Sequence, residues 1–202
     1  MSDRANEYSA GLVSESPWFL EFRKVISLLE EGVSEDEIKA LCLEQNFFGM
    51  ASENRVKQIY RYIIKRCRVM DQDLIRLFTH SDLMTQKLIN FITVILNDRL
   101  FLEFIVEVYR EKIFLGYTEL VLSDINTFFT DKTAQCSYMK GWTDETLKRL
   151  RTGYCLFMVD AGLLQKDGKQ YKITPPVLDW ALEEYLQRRN LTYIANAFTG
   201  VR

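Results

Sequence analysis

Between Asn54 and Met70 the chain carries Arg55, Lys57, Arg61, Lys65, Arg66 and Arg68 and not one acidic residue. At about 100° per residue, Val56, Ile59, Tyr60, Ile63, Cys67 and Met70 gather on one side of a helix, and Lys57, Arg61, Lys65 and Arg68 gather on the other. Ammonium and guanidinium groups in a single-sign row repel one another. Such a row calls for acidic neighbours in the fold or a polyanion outside it. Its chemistry toward the outside would be phosphate binding, with Asn54, Arg55 and Gln58 near the start of the helix able to reach base edges. A plainly solvated cationic face is the competing reading.

A second basic island spans residues 148–172, with 6 basic and 2 acidic side chains. Lys148, Arg149 and Thr152 fall on the outer side of a helix whose inner side is Leu147, Leu150, Tyr154, Phe157, Met158 and Ala161, and Thr146 and Arg149 could reach base edges. Lys166, Lys169 and Lys172 flank Asp167 and Gly168, which read as the two-residue turn of a β-hairpin, with Tyr171 and Ile173 alternating on the return. Lysines there would reach phosphates beside a helix in the groove. Helix, helix, hairpin is the winged helix-turn-helix order, which also serves protein contacts.

The formal net charge of −2 hides this segregation. Residues 1–53 hold 4 basic and 11 acidic side chains, residues 54–70 hold 6 and 0, and residues 71–147 hold 7 and 12. Two basic islands in an acidic chain suit a specific, small-footprint surface.

Other chemistries find little support. Cys42, Cys67, Cys136 and Cys155 are far apart with no Cys-x-x-Cys pair, so they read as reduced thiols without a metal. His80 falls at a predicted helix end, where the dipole and the terminal carbonyls account for it. No serine or cysteine has an identifiable base, and no glycine-rich phosphate loop is present. The expectation is a non-enzyme with no cofactor and no catalytic residue. Residues 1–10 include Asp3, Arg4 and Glu7 where a signal peptide needs an apolar core. Asp98, Arg99, Glu103, Glu107 and Arg110 break the apolar stretch around 100–108 well short of a membrane span. A cytoplasmic chain follows, monomeric on its own.

The elements that position the basic residues can be read in order. Residues 18–31 form a helix with core aromatics, ended by Gly32. Ser34 with Glu37 makes a capping box for a helix that gives out around residues 46–49. Ser52 caps the basic helix. Helix, turn, basic helix is the helix-turn-helix order, with a turn longer than usual. Helices at 72–80 and 82–96 follow, then a hub helix at 97–115 with Phe101, Phe104, Ile105 and Val108 inaccessible. Ser123 with Asp124 caps a helix to about 133, Thr143 caps another to about 161, and Pro175 and Pro176 start a last helix from 177 to about 189.

Tyr8-Ser9-Ala10-Gly11-Leu12, Asp98-Arg99-Leu100-Phe101 followed by Glu103-Phe104 and Glu107-Val108, and Trp142 shortly before Lys148 resemble BrxA, a core component of bacteriophage-exclusion (BREX) defence systems. The resemblance covers nearly the whole chain. It implies a bacterial, largely helical protein with affinity for double-stranded DNA that works beside a methyltransferase, an ATPase and other defence components.

The expected fold is mainly α: a multi-helix globular fold with an N-terminal helix-turn-helix (1–70), a central helical core (71–122) and a C-terminal winged-helix-like unit with one small β-hairpin (123–202). The expected function is non-catalytic duplex-DNA binding through Asn54, Arg55, Lys57, Gln58, Arg61, Lys65, Arg68, Thr146, Lys148, Arg149, Thr152, Lys166, Lys169 and Lys172. The alternative is an adaptor whose basic islands dock acidic defence partners. RNA binding ranks lower, because the sequence shows no aromatic stacking platform.

Overall fold

The computed structural model describes residues 8–168 and 170–201, so Lys169 lies outside the described residues. The fold is mainly helical with one small antiparallel sheet, as expected. Packing groups the described residues into two compact units, Pro17–Asn97 on one side and residues 8–16 with the chain after Asn97 on the other. Among the described residues no helix is long and apolar enough to cross a membrane.

The Pro17–Asn97 unit contains α1 (Phe19–Glu30), α2 (Glu35–Glu44), α3 (Glu53–Cys67), α4 (Gln72–His80) and α5 (Leu83–Leu96). Most starts follow side-chain capping. The Ser34 hydroxyl accepts from Glu37 N and the Glu37 carboxylate accepts from Ser34 N, forming the expected capping box. Asp71 and Asp82 cap α4 and α5. Ser52 does occupy the position before α3, but its hydroxyl makes no cap hydrogen bond, contrary to the expectation. Between α2 and α3, Asn46 adopts φ 50° and its amide exchanges two hydrogen bonds with the backbone of Met50. That ring closes the long turn with local polar groups. Leu88, Ile89, Phe91, Ile92, Val94 and Ile95 bury almost the whole girth of α5, which is therefore the centre of this unit.

The other unit begins with residues 8–16, including a 3-10 turn at Gly11–Ser14, and resumes at Asp98. The helix expected at 97–115 runs without a break over residues 99–114 but changes pitch inside: α6 (Arg99–Phe104), a π-helical turn (Ile105–Tyr109) and α7 (Arg110–Phe114). Phe101, Phe104 and Ile105 are fully buried, whereas Val108 is partly exposed, a correction to its predicted burial. A π turn holds an extra residue, which shifts the inward phase. Tyr109 takes the inner place, and its hydroxyl donates to Leu163 O at 3.1 Å.

Downstream come β1 (Glu119–Leu120), α8 (Leu122–Gln135), α9 (Asp144–Asp160), β2 (Leu164–Asp167), β3 (Gln170–Ile173), α10 (Trp180–Arg188) and α11 (Thr192–Thr199). Three boundaries differ from the sequence reading, and two elements are new. Ser123 lies inside α8; the helix starts after Val121, whose N–H is taken by the Asp124 carboxylate at 3.0 Å. The hairpin register pairs Asp167 with Gln170, so the turn starts one residue late, at Gly168 with φ +56°. Asp179 caps α10, leaving Pro175 and Pro176 ahead of the helix and not in its first turn. β1 and α11 were not anticipated: two residues carry no strand period, and α11 is eight residues without a side-chain cap. The sheet order is β1-β3-β2. Phe101 stacks on Tyr154 at 3.9 Å, and Phe104, Phe128 and Phe129 complete an aromatic core under α9.

Candidate nucleic-acid interface

The outer face of α3 is as the periodicity predicts. Val56, Ile59, Ile63, Ile64 and Cys67 are buried, and Asn54, Arg55, Lys57, Arg61, Lys65 and Arg68 are exposed, with Gln58 half-buried. Lys57, Arg61 and Lys65 form one i, i+4 row. Exposure does not leave all of the stripe free. Arg68 makes an ion pair with Glu35 on α2, and that hydrogen bond holds the Glu35 carboxyl below its ordinary value. Lys57 lies 3.7 Å from Glu53, and Lys65 Nζ is 3.4 Å from Asn97 O. Both contacts are long and solvent-facing, so a phosphate can replace them at little cost. Arg61 has no carboxylate partner among the described residues; its guanidinium lies over the Tyr62 ring at 4.8 Å.

Arg66 is the member of the run that leaves the stripe. It is 1% exposed, and Nη1 donates to Pro17 O at 2.7 Å. Asn90, also buried, donates to the same carbonyl at 3.1 Å. These two donors fix the chain where Trp18 adopts the left-handed region at φ 41°. For a bulky residue that conformation costs on the order of 1–3 kcal/mol and persists only where surroundings impose it. Trp18 is half-buried, not a core aromatic, and its ring stacks on Tyr62. The sequence reading missed this pair. Nothing in local periodicity links two aromatics 44 positions apart, as their numbering gives; the only local sign was Tyr62 standing beside Arg61 at the edge of the apolar face.

The second island is less coherent. On α9, Thr143 caps Thr146 N at 3.2 Å, and Lys148, Arg149 and Thr152 are exposed. The same face seats the N-terminal segment. Leu12 is buried, Arg149 Nη2 donates to Val13 O at 3.2 Å, and a cleft of about 330 Å³ is lined by Leu12, Val13, Glu15, Lys148, Arg149 and Thr152. In the hairpin, register puts Lys166 opposite Tyr171, and Lys172 opposite Gln165 and Glu119. Directly opposed residues share a face and successive ones alternate, so Lys166 and Lys172 point to opposite sides of the sheet. Lys169 falls outside the described residues.

Four of the residues that carry the family resemblance, Tyr8, Arg99, Glu103 and Glu107, meet Lys132 in one polar cluster in this unit. Tyr8 OH donates to Glu103 Oε2 at 2.6 Å, Lys132 Nζ reaches Glu103 and Glu107 at 2.6 and 2.7 Å, and Arg99 Nε bonds Glu103 Oε1 at 2.7 Å. Burial pushes the Glu103 carboxyl up, but bonds from Lys132, Tyr8 and Arg99 outweigh it and hold the group below its ordinary range. Burial likewise works against the Lys132 ammonium, and its two carboxylates keep it raised. Asp98 caps α6 through Phe101 N at 2.9 Å. Mutual satisfaction of this kind anchors the N-terminal segment.

Chemistry of other kinds has poor material. Burial pushes the thiols of Cys42 and Cys155 up to about 11 and that of Cys67 to about 12, far from a reactive thiolate. His80 is exposed, with Nδ1 2.9 Å from Arg76 O at the end of α4 and 3.7 Å from Glu30, consistent with a helix-end role.

The BrxA family model matches residues 6–190. A Bacillus cereus (strain H3081.97) protein described as "BREX protein BrxA" is 33% identical over 180 residues, spanning 89% of this chain and 90% of its own. A crystal structure of an uncharacterized protein from Magnetospirillum magneticum shares the fold at a TM-score of 0.81 with 21% identity, covering 96% of this chain and 98% of that one. On the family match and the Bacillus cereus relative together, the chain belongs to the BrxA family.

Proposed function

We propose that this protein is a non-catalytic, double-stranded-DNA-binding component of a bacterial phage-defence (BREX) system, with α3 as its principal contact. The observation that carries the reading is the exposed row Lys57, Arg61, Lys65 on a helix with no acidic residue from 54 to 70, in a chain of net charge −2. Such a row neutralises phosphates and releases their counterions, which supplies affinity with little sequence information. Asn54 and the Arg55–Gln58 pair, joined at 2.9 Å, offer amide and guanidinium groups to base edges. In the other unit, Lys148 and Thr152 on α9 and one of the hairpin lysines, Lys166 or Lys172, offer weaker phosphate contacts of their own. The setting is the bacterial cytoplasm, a monomer alone, beside the methyltransferase and ATPase of the system.

A second reading, an adaptor, is favoured by one observation. Leu115 and Tyr117 are exposed at the edge of a cleft of about 380 Å³, where Lys112 pairs with Asp124 and Lys132 with Glu107, leaving Glu111 and Asp131 to give the lining an acidic balance. An apolar patch of that kind marks a protein contact. The two readings separate in a salt-series binding measurement with a blunt duplex. Under the DNA reading the wild type binds, and Arg61→Ala with Lys65→Ala lowers affinity alike across sequences and reduces the slope of log affinity against log salt by about 0.9 per lost contact. An unchanged slope in the folded double variant removes α3 from the interface.

A further inference from the structure

Four side chains from two separate stretches meet in a single column on the Pro17–Asn97 unit. Trp18 and Tyr62 stack with ring centroids 5.7 Å apart and planes at 28°. The Arg55 guanidinium lies over Trp18 at 5.1 Å, and that of Arg61 lies over Tyr62 at 4.8 Å. Both rings are half-buried and both flanking arginines are exposed. Arg66, whose buried guanidinium also lies 5.8 Å from the Trp18 ring centre, and Asn90 both bond Pro17 O and fix the backbone from which the indole projects. Gln58 holds the Arg55 guanidinium from the side.

Phosphate is bound by the N–H edge of a guanidinium and needs no ring beneath its face. What extends a stack of rings and guanidinium planes is another flat π system with an anionic strand attached, and that is a nucleobase. A paired base is already covered on both faces by its neighbours. We infer that the Arg55–Trp18–Tyr62–Arg61 column is a stacking site for an unpaired base of DNA, so that this unit takes single-stranded or locally opened DNA as well as duplex. The inference deepens the duplex-DNA reading, because Lys57 and Lys65 lie on the same helix and would hold the adjoining phosphates.

The test is anisotropy with the full chain and three labelled probes of about 20 nucleotides: oligo-dT, oligo-rU and a blunt duplex. Wild type should bind oligo-dT. Trp18→Leu should weaken that binding by at least about fivefold and duplex binding by less than about twofold, while Trp18→Phe restores most of the loss. Circular dichroism checks the fold, and if Trp18→Leu does not fold, Tyr62→Leu is judged by the same criteria. Wild type that binds duplex but not oligo-dT overturns the stacking site and leaves the duplex reading standing. Oligo-dT binding without duplex binding does the reverse. Equal losses on both probes would make the column a mere support for α3, and tighter binding of oligo-rU than oligo-dT would make the ligand RNA; either result overturns the inference.

Discussion

α3 and α9 carry the same signature in sequence: a capped start, an apolar inner face and a basic outer face. They end in different surroundings. The outer face of α3 is open apart from Arg68, which Glu35 takes, and the long contacts of Lys57 and Lys65. The outer face of α9 receives residues 12–15 of the same unit, with Arg149 bonded to Val13 O. The inner faces differ as well, aliphatic under α3 and aromatic under α9. Periodicity tells which residues leave the core, and a distant segment decides what covers them.

The largest effect should come from the aromatic side of this contrast. Phe104 is fully buried against Phe128 at 5.2 Å and Tyr154 at 5.5 Å, and Tyr154 belongs to α9. Phe104→Ala removes that support and should cost about 3–5 kcal/mol in chemical denaturation, as for other buried aromatics. A loss below about 1 kcal/mol would mean that α9 does not depend on this cluster.

How much of the contrast was legible beforehand follows from range. Helix-scale signals act within four residues, and the Ser34 and Thr143 starts were read correctly, while α5 starts one residue later than expected, after its cap Asp82. Where a carboxylate three residues inside the helix or a second turn residue competed, as at Asp124 and Gly168, the boundary moved. The exposed row on α3 was legible for the same local reason. The Trp18–Tyr62 column, the burial of Arg66 and the seat of Leu12 on α9 were not, because each joins segments that no period connects. The hairpin lysines show the converse: their spacing was visible, but register alone sets them on opposite faces.

A smaller effect should follow from loosening the anchor of the N-terminal segment. Glu103 holds Tyr8, Lys132 and Arg99, and its folded pKa lies below its ordinary 4.5. Its ionised form therefore contributes stability that is present above the ordinary value and is lost as pH falls through the lowered one. Lys132 has the opposite sense: raised above 10.5, it contributes below that value and loses the contribution as pH rises through the higher one. Glu103→Gln cannot ionise. Urea midpoints should show it less stable than wild type near about pH 7, with the gap closing toward about pH 3. A gap that stays constant over that range would show that charge on Glu103 is not what anchors Tyr8.

The smallest effect tests the comparison itself. Lys148 and Thr152 lie on the α9 face that also seats residues 12–15, and Lys148 is the only cation of the two. Arg149 is kept intact in this experiment, since removing it would disturb the bond to Val13 O. Lys148→Ala with Thr152→Ala deletes at most one phosphate contact, so the salt slope for duplex binding should fall by no more than about 0.9, against about twice that for Arg61→Ala with Lys65→Ala. Affinity at fixed salt should follow the same order. If the α9 pair instead lowers the slope as much as the α3 pair, the seated segment must leave when DNA binds, and α9 would be as open in the complex as α3 is in the free protein.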